Sequence, residues 1–379
     1  MDSRCDIAVV GAGIAGASFA YFAAEHARVV VLERESQPGM HSTGRSAAMF
    51  MESYGSAQVR ALTRAGRTFL QHPPPGFATV PLLTPRGALF VGSDAQRGAV
   101  ERLAQTLHDE QRPVRRMSSA QALPLVPVLR PGAAAHALHD AEACDIDVDA
   151  LHQGYLRGAR ARGAAIVCDA GISALTRTTG GWQVAAGADR RWHASVVVNA
   201  AGAWVDEVAA LAGIAPIGIE PRRRSAFTFA PPEGIDARGW PLVVGIDESF
   251  YFKPEAGLLL GSPANADPVP PHDVVPEEFD IALGIHRIEQ ATTMTIRRPH
   301  RVWAGLRSFV ADGDLVGGFD AAEPSFFWLA AQGGYGIKTS IAMGAACAAR
   351  VLGQPMPPWI AAEGLTFDAL APRARGISG

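Results

Sequence analysis

The chain has 379 residues, of which 48% are hydrophobic, so it is long enough to bury the cores of two domains. Its formal net charge of −3 gives no reason to expect a nucleic acid or an anionic membrane surface as a partner. The 4 cysteines are scattered and form no C-x-x-C pair, which is typical of free thiols in a cytoplasmic protein.

The stretch from Asp6 to Glu33 predicts a strand, a glycine turn, a helix and a second strand that ends in an acid. Its glycines match G-x-G-x-x-G: Gly11 permits the turn, Gly13 lets the backbone approach a pyrophosphate, and Gly16 lets helix and strand pack closely. The helix start offers N–H groups and a partial positive charge to the phosphates. Glu33 can accept hydrogen bonds from a ribose. The stretch therefore predicts a dinucleotide site.

A signal peptide or a membrane helix is the alternative for residues 7–24, because this segment carries no charge. Three glycines at motif spacing suit a turn better than a spanning helix. Asp2 and Asp6 precede the segment where a signal peptide has basic residues, and a strand follows it instead of a cleavage site. We therefore expect no stable membrane insertion.

A loop of small and polar residues, 39–48, follows the acid. It supplies the hydroxyls of Ser42, Thr43 and Ser46, the charge of Arg45, and the close approach that Gly44 permits. We expect this loop to wrap the phosphates and the far half of a long cofactor. The alternative is that Ser46 caps a helix.

Apolar spacing predicts the remaining elements. Helices are predicted over 58–70, 97–107, 118–123, 147–162 and 277–292. Strands are predicted over 81–91, 136–140, 165–168, 196–198, 222–230, 242–246, 249–253, 257–261, 303–309 and 326–330, with a hairpin from 181–186 and 191–193. The block from 222 to 261 has an antiparallel pattern and suggests a second sheet.

Two turns of small residues follow predicted strands. The segment Asn199–Trp204 leaves room for a ligand at a strand's carboxyl end, although tight helix–sheet packing is an alternative reading. The second turn, 332–339, lies between the last strand and a helix to Val351. A simple NAD enzyme needs no such turn, whereas a helix start facing N1 of a reduced flavin would stabilise its negative charge. The pattern therefore favours a flavin over a nicotinamide.

Together, these motifs resemble the D-amino-acid oxidase superfamily of FAD-dependent enzymes, and within it the bacterial FAD-dependent D-arginine dehydrogenases. The motifs that carry the resemblance are the glycine turn with Glu33-Arg34, 41–47, 199–204 and 332–337, and it covers essentially the whole chain. It implies an α/β fold in which a Rossmann-like FAD-binding domain is interleaved with an antiparallel-sheet substrate domain. We assign 1–80, 142–220 and 304–379 to the first domain, and 81–141 and 221–303 to the second.

The resemblance implies noncovalent FAD and the oxidative deamination of D-amino acids. A hydride passes from the substrate Cα to flavin N5, and the imino acid is hydrolysed to a 2-oxo acid and ammonia. The FAD-binding residues that we expect from the motifs and the resemblance are Gly11, Gly13, Ile14, Ala15, Gly16, Glu33, Arg34, Ser42, Thr43, Gly44, Arg45, Ser46, Ala47, Met49, Ile172, Ala201, Gly202, Trp204, Gly305, Gly333, Tyr335, Gly336, Ile337 and Lys338.

On the substrate side, the resemblance implies that Arg224 and Arg307 clamp the carboxylate, with Tyr251 beside them. Tyr54 would lie over the substrate, and the Gly334 carbonyl would accept a hydrogen bond from its amine. A guanidinium fork suits a carboxylate, which supports these roles. The alternatives are a solvated charge run for one or two of residues 222–224, an ion pair for Arg307, and ordinary packing for the tyrosines.

One position departs from the D-arginine dehydrogenases. Their acid that recognises the substrate guanidinium is matched here by Ala88, and polar residues near the substrate are matched by Met49 and Met51. A cationic side chain would then lack a buried anion, unless Glu52 compensates. We therefore expect a more apolar or neutral side-chain pocket.

Other readings stay open. Oxygen could be the electron acceptor, the substrate could be a secondary amine or a 2-hydroxy acid, or the chain could be a flavin-binding redox sensor. The histidines show no metal-ligand spacing such as H-E-x-x-H, so we expect no metal. The electron acceptor and the oligomeric state cannot be read from the sequence.

Overall fold

The computed structural model describes residues 2–112, 114–187 and 189–373. Met1, Pro113, Ala188 and residues 374–379, which the predicted domains include, lie outside the described residues. In the described part, no helix has the length and the apolar character that a membrane crossing requires.

The strands, in chain order, are β1 (Asp2–Val10), β2 (Val29–Leu32), β3 (Met49–Phe50), β4 (Leu83–Pro85), β5 (Ala88–Gly92), β6 (Val114–Ser118), β7 (His136–Asp140), β8 (Cys144–Ile146), β9 (Ala165–Val167), β10 (Ile172–Thr178), β11 (Gly181–Ala186), β12 (Arg190–Asn199), β13 (Glu220–Phe229), β14 (Leu242–Gly245), β15 (Tyr251–Glu255), β16 (Leu258–Ser262), β17 (Asp267–Pro268), β18 (Arg301–Phe309), β19 (Val316–Phe319) and β20 (Phe326–Ala330).

The α-helices are α1 (Ile14–Ala23), α2 (Ala57–Ala65), α3 (Arg67–Gln71), α4 (Arg97–Asp109), α5 (Ser119–Ala122), α6 (Val148–Ala161), α7 (Val205–Leu211), α8 (Glu278–Ala291), α9 (Gly336–Val351), α10 (Pro358–Ala361) and α11 (Phe367–Leu370). Short 3₁₀ turns precede α4 and α7.

The first sheet has a parallel centre. Strand β1 lies between β12 and β2, β2 also pairs with β9, and β12 also pairs with β20, all in parallel. Helix α1 packs against α9 and α6 on this sheet, and its buried Phe19 shares a core with Val9 and Val31. The paired centre of this sheet, which includes residues 7–10 of β1, 29–32 of β2 and 196–198 of β12, is apolar, as is typical of parallel strands with both faces covered.

The second sheet is mixed and mostly antiparallel, in the order β17-β13-β16-β15-β14-β5-β7-β6, with β18 also paired to β13. Helix α8 covers one face through Ile288, which packs near Phe227. A small third sheet has the order β3-β8-β4. The division into two domains stays a prediction; β18 crosses its boundary between residues 303 and 304, and the third sheet contains strands from both predicted domains.

Three predicted elements were wrong in their extent. The predicted helix 58–70 is two helices, α2 and α3, separated by Gly66. The predicted strand 81–91 is β4 and β5, which lie in different sheets on either side of Gly87, whose φ of +74° suits glycine. The predicted strand 196–198 is the end of the longer β12, which leaves the hairpin and enters the parallel centre. The hairpin itself is confirmed.

Candidate active site

A cleft lies where several parallel strands end. Its larger part, the dinucleotide cavity, has a volume of about 270 Å³ and is lined by the residues that follow β1, β2, β12 and β20. Its smaller part, the clamp cavity, has a volume of about 90 Å³. Both are lined by Ile14, Ser42, Thr43, Leu306, Gln332 and Gly333, so they form one continuous cleft. The carboxyl ends of parallel strands are the usual ligand site of open α/β sheets.

The glycine turn has the geometry that the motif predicts. Gly11 has a φ of +97°, and a Cβ there would lie 2.7 Å from the Ala200 carbonyl oxygen. A Cβ on Gly16 would lie 1.9 Å from the Gly11 oxygen, so only glycine lets α1 approach the turn. A Cβ on Gly13 would meet only Thr43 Oγ1, at 3.3 Å, which leaves this backbone open to the cavity.

Two amides at the helix start already have partners. The Ala12 N–H donates to Glu33 Oε2 at 2.8 Å, and the Ile14 N–H donates to Thr43 Oγ1 at 3.0 Å. Glu33 Oε1 also accepts from the Glu35 N–H, at 3.0 Å. Each carboxylate oxygen retains a second lone pair, so Glu33 can still accept from a ribose while it fixes the turn.

A buried histidine on α6 supports the same turn. His152 Nε2 donates to the Ala12 carbonyl at 2.8 Å, and a Cβ on Gly39 would lie 2.9 Å from its ring. Burial lowers the pKa of His152, so the neutral ring is favoured. The sequence analysis missed this residue; its only signal was a polar side chain on the apolar face of the predicted helix.

This contact predicts a pH-dependent stability. Because the pKa of His152 is lower in the folded protein than in the unfolded chain, the unfolded state takes up the proton first as the pH falls. The stabilising contribution is therefore present above about pH 6.5 and is lost below it. We expect H152Q to show a smaller fall in melting temperature between pH 7 and pH 5 than the wild type. The exposed His72 gives the matched control, H72Q, whose pH dependence should equal that of the wild type.

Aromatic and charged side chains close the far end of the dinucleotide cavity. The Arg34 guanidinium lies 3.8 Å from the centre of the Trp204 ring, and the His41 ring lies 4.8 Å from it. His41 Nε2 contacts Glu35 Oε1 at 2.8 Å. Trp204 and Arg34 were predicted; Glu35 was not, and His41 was noted only within its motif.

Loop 39–48 joins the two parts of the cleft. Ser42 Oγ donates to the Leu306 carbonyl at 2.6 Å. Arg45 donates to the carbonyls of Val274 and Ala304 at 3.0 and 3.2 Å, and it pairs with Asp273. Its guanidinium therefore binds the second sheet and its loop. The residues after Ser46 lead into β3, so the alternative of a helix cap is wrong.

Two arginines line the clamp cavity with Tyr251 and Gly334. Arg224 lies on β13 and Arg307 on the neighbouring β18. Arg224 Nε donates to the carbonyl of Asn265 at 2.6 Å. Across the described residues, neither guanidinium has a carboxylate oxygen within 4 Å. Burial and the charge of Arg307 lower the pKa of Arg224 to about 10, so Arg224 remains charged at neutral pH.

The other two residues of the arginine run have carboxylate partners. Arg222 pairs with Glu220 at 2.6 Å, and Arg223 is buried against Asp280 at 2.8 Å. The alternative of a solvated charge run therefore fits the half-buried Arg222, but not Arg223, which is buried. Strand alternation places residue 223 on the opposite face from residues 222 and 224.

The turn before α9 lies directly against Arg307. A Cβ on Gly334 would lie 2.5 Å from Arg307 Nη1, so a side chain at this position would displace the guanidinium. The Gly333 N–H donates to the Ser308 carbonyl at 2.9 Å, which joins this turn to β18. Gly336 and Ile337, at the start of α9, line the clamp cavity. The helix start thus faces the cleft, as the flavin interpretation requires.

An apolar cluster adjoins the clamp, and we name it the side-chain cluster. Its buried members are Met51, Ala88, Phe90, Val100, Ala104, Leu138, Ala143, Leu242 and Val244. Met49, Tyr54 and Tyr251 are half-buried against it. The three positions that depart from the D-arginine dehydrogenases therefore share one apolar environment.

Nearby acids are already engaged. Glu52 pairs with Arg67 at 2.7 Å and with Arg112 at 2.8 Å, so its charge is neutralised there. Asp140, the cross-strand neighbour of Ala88, accepts a hydrogen bond from Ser53 Oγ at 2.6 Å, and burial raises its pKa. Neither acid is free to pair with a substrate cation.

Tyr54 lines neither cavity. Its hydroxyl donates to Oε2 of the exposed Glu248 at 2.8 Å, and its ring lies 5.7 Å from that of Tyr335. Glu248 lies in the turn between β14 and β15 and was not predicted. Glu248 lies 194 residues from Tyr54 in the sequence, so no local pattern could have indicated this contact.

Most predicted cofactor residues line the cleft. Those that line neither cavity are Gly16, Gly44, Met49, Tyr335 and Lys338. Lining residues that were not predicted include Gly39, Ala170, Gly171, Ala200, Leu306, Ser308 and Gln332. No cluster of potential metal ligands occurs among residues 2–112, 114–187 and 189–373.

The residues of the cleft fit a flavin dinucleotide. The open Gly13 backbone suits a pyrophosphate, and Glu33 suits a ribose. The cleft continues past Thr43 to the start of α9, which would face the ring system. A mononucleotide would leave the second part of this cleft empty.

Comparisons with known proteins agree with the assignment of a flavin dinucleotide to this cleft. A family model described as FAD dependent oxidoreductase (DAO) matches residues 6–350. The FAD-dependent oxidoreductase domain-containing protein 1 of Bos taurus is 24% identical over 402 residues, covering 92% of this chain and 81% of that protein.

Two solved structures have the same fold. L-proline dehydrogenase from P. horikoshii is 20% identical, with a TM-score of 0.82, covering 98% of this chain and 100% of that chain. Glycine oxidase from Geobacillus kaustophilus is 20% identical, with a TM-score of 0.83, covering 99% of this chain and 100% of that chain. The chain therefore belongs to the DAO family of FAD-dependent oxidoreductases and is an enzyme with FAD as its cofactor.

Proposed function

We propose that this enzyme oxidatively deaminates free D-amino acids whose side chains are apolar or neutral. The observation that carries the proposal is the pair Arg224 and Arg307, two charged guanidiniums that line one cavity without a carboxylate partner. Buried charges in proteins are normally paired, so this pair favours an anionic ligand. A planar carboxylate accepts the parallel N–H bonds of a guanidinium.

The residues around the clamp suggest how the rest of the substrate is oriented. Gly334 lies against Arg307, so its carbonyl is a candidate acceptor for the substrate amine. Two positive charges favour the loss of a proton from a nearby ammonium, because like charges disfavour its charged form. FAD, when bound, would accept the hydride that leaves Cα, and this hydride carries both electrons of the oxidation. The resulting imino acid reacts with water and gives a 2-oxo acid and ammonia.

The side-chain cluster supports the substrate preference. Met51 and Ala88 are buried in it, and Glu52 is neutralised by two arginines. A cationic substrate side chain would lose its hydration here without gaining a buried anion. The proposed substrate preference therefore differs from that of the D-arginine dehydrogenases, which the sequence motifs resemble. Glu248, which accepts the hydrogen bond of Tyr54, would change this outcome if it paired with a cationic substrate side chain.

The direct test is anaerobic reduction of the FAD-loaded enzyme. We expect D-Met, D-Leu and D-Phe to bleach the flavin absorbance with at least about tenfold higher kcat/KM than D-Arg or D-Lys. The L-enantiomers serve as the matched controls and should leave the flavin oxidised. A preference for D-Arg would contradict the neutral pocket, and reduction by L-amino acids alone would contradict the D-specificity.

The same experiment separates the other candidates. If only secondary amines or only 2-hydroxy acids reduced the flavin, the substrate would belong to that class and not to the D-amino acids. Failure of every substrate would favour a redox sensor. Peroxide formation in air would identify an oxidase, whereas its absence would support a dehydrogenase with another electron acceptor.

The names of two structural neighbours, L-proline dehydrogenase and glycine oxidase, support an amino-acid substrate. The unpaired cysteines, Cys5, Cys144, Cys168 and Cys347, support a cytoplasmic location.

A further inference from the structure

Lys338 is a buried cation that belongs to neither cavity. It lies on α9 with only 4% of its surface exposed. Its ammonium donates to the carbonyl of Met51 at 2.8 Å and to the carbonyl of Tyr54 at 2.6 Å. Within the described part of the chain, no carboxylate oxygen lies within 4 Å of this ammonium. The other lysine, Lys253, is also buried, but it pairs with Asp145 and Glu255.

This arrangement is costly for the folded protein. Burying an ammonium without a carboxylate partner is unfavourable, and burial lowers the pKa of Lys338 to about 7. Arg60 on α2 disfavours the charge further, whereas Asp140 on β7 and Glu52 in the loop favour it. The rings of Tyr54 and Tyr335 lie 5.4 and 5.5 Å from the ammonium. A methionine would fill similar space at lower cost, so the lysine requires a reason beyond packing.

Lys338 connects two segments that adjoin the proposed substrate site. One end is the segment 51–54, which carries Met51 of the side-chain cluster and Tyr54. The other end is the start of α9, where the turn with Gly334 lies against Arg307. Both carbonyls are backbone groups, so the contact fixes the course of the segment as well as its side chains.

We propose that Lys338 is a positioning residue that holds the segment 51–54 against α9 and so sets the width of the pocket for the substrate side chain. The exchange part of the test below needs only the folded holoenzyme, whereas the kinetic part rests on the proposed function. Lys338 acts through the backbone of the segment and does not touch the substrate itself.

The first measurement is amide hydrogen exchange of the FAD-loaded enzyme. K338M removes both donors but retains an unbranched apolar stem, and we expect peptides covering 51–56 to exchange about tenfold faster than in the wild type. Peptides from β5, in the second sheet, should be unchanged. T339V is the matched control, because Thr339 is buried on the same helix and its hydroxyl bonds only within the helix, to the Tyr335 carbonyl.

The second measurement determines, separately, the dissociation constant of the substrate and the limiting rate of flavin reduction. For the best D-amino acid, we expect K338M to raise the dissociation constant about tenfold and to change the limiting rate of flavin reduction less than about threefold. K338Q retains one donor group and should lie between K338M and the wild type. If K338M fails to fold, K338Q carries the same test.

Three outcomes would overturn the proposal. They are unchanged exchange over 51–56, an equal effect in T339V, or a loss that falls on the reduction rate and not on binding. A wild type that no D-amino acid reduces would contradict the proposed function, and the exchange result would then still decide whether Lys338 holds the segment.

Discussion

Replacing Arg307 with methionine should lower kcat/KM for the best D-amino acid about a thousandfold, while the purified enzyme keeps its FAD. The guanidinium faces a cavity without a carboxylate partner, so its binding capacity is reserved for the ligand. Losing a charge-assisted bidentate contact costs about 3–5 kcal/mol of binding, which corresponds to a factor of about 10² to 10⁴. Steady-state kinetics and the flavin spectrum give both quantities.

The matched control is R222M, on the strand that pairs with Arg307. Arg222 already has Glu220 as its partner and lines neither cavity, so its loss should change kcat/KM less than about twofold. If R307M retained nearly full activity, or if R222M lost as much, the two-arginine clamp would be wrong. Loss of FAD in R307M would instead indicate a structural role.

Gly16→Ala should abolish FAD binding. The new Cβ would lie 1.9 Å from the Gly11 carbonyl oxygen, a backbone atom that cannot move without opening the turn. The helix would then leave the position from which its N-terminus faces the phosphates. We expect protein purified from G16A to be colourless or aggregated, measured as the ratio of flavin to protein absorbance.

Gly13→Ala separates the two functions of the turn. Its Cβ would meet only Thr43 Oγ1, at 3.3 Å, so the fold should persist while the methyl group obstructs the approach of the pyrophosphate. We expect a folded protein with FAD affinity weakened about tenfold or more. G132A is the control, because no atom lies within 4 Å of its Cβ position. Full FAD content in G16A would contradict the dinucleotide assignment of this turn.

Features encoded by neighbouring residues were predictable from the sequence. The unit β1-α1-β2 follows from apolar runs around the glycine motif, and Trp204 and Arg34 follow from motifs near strand ends. The second sheet was predicted as an antiparallel block, because its strands follow one another closely between 222 and 261. Sequence patterns fix such elements within short windows.

Features that depend on distant partners were not predictable. Only the resemblance singled out Arg224 from Arg223; the residue pattern could not, because Asp280, which pairs with Arg223, lies on α8. Glu52 remained open for the same reason, since one of its partners, Arg112, lies 60 residues away. His152 and Lys338 act by donating hydrogen bonds to backbone carbonyls. Every residue has such a carbonyl, so the sequence does not indicate which one is the partner.

The unpaired clamp has a practical consequence for work with this enzyme. Two positive charges repel each other in the free enzyme, and Arg224 already loses part of its affinity for a proton. We expect a small carboxylate in solution to relieve this repulsion, so that formate, acetate or citrate buffers compete with the substrate. The same anions should raise the melting temperature, because a ligand that binds only the folded state stabilises it. In a carboxylate buffer, the measured melting temperature of the enzyme should therefore be higher, and its apparent kcat/KM lower, than in a buffer without small carboxylates.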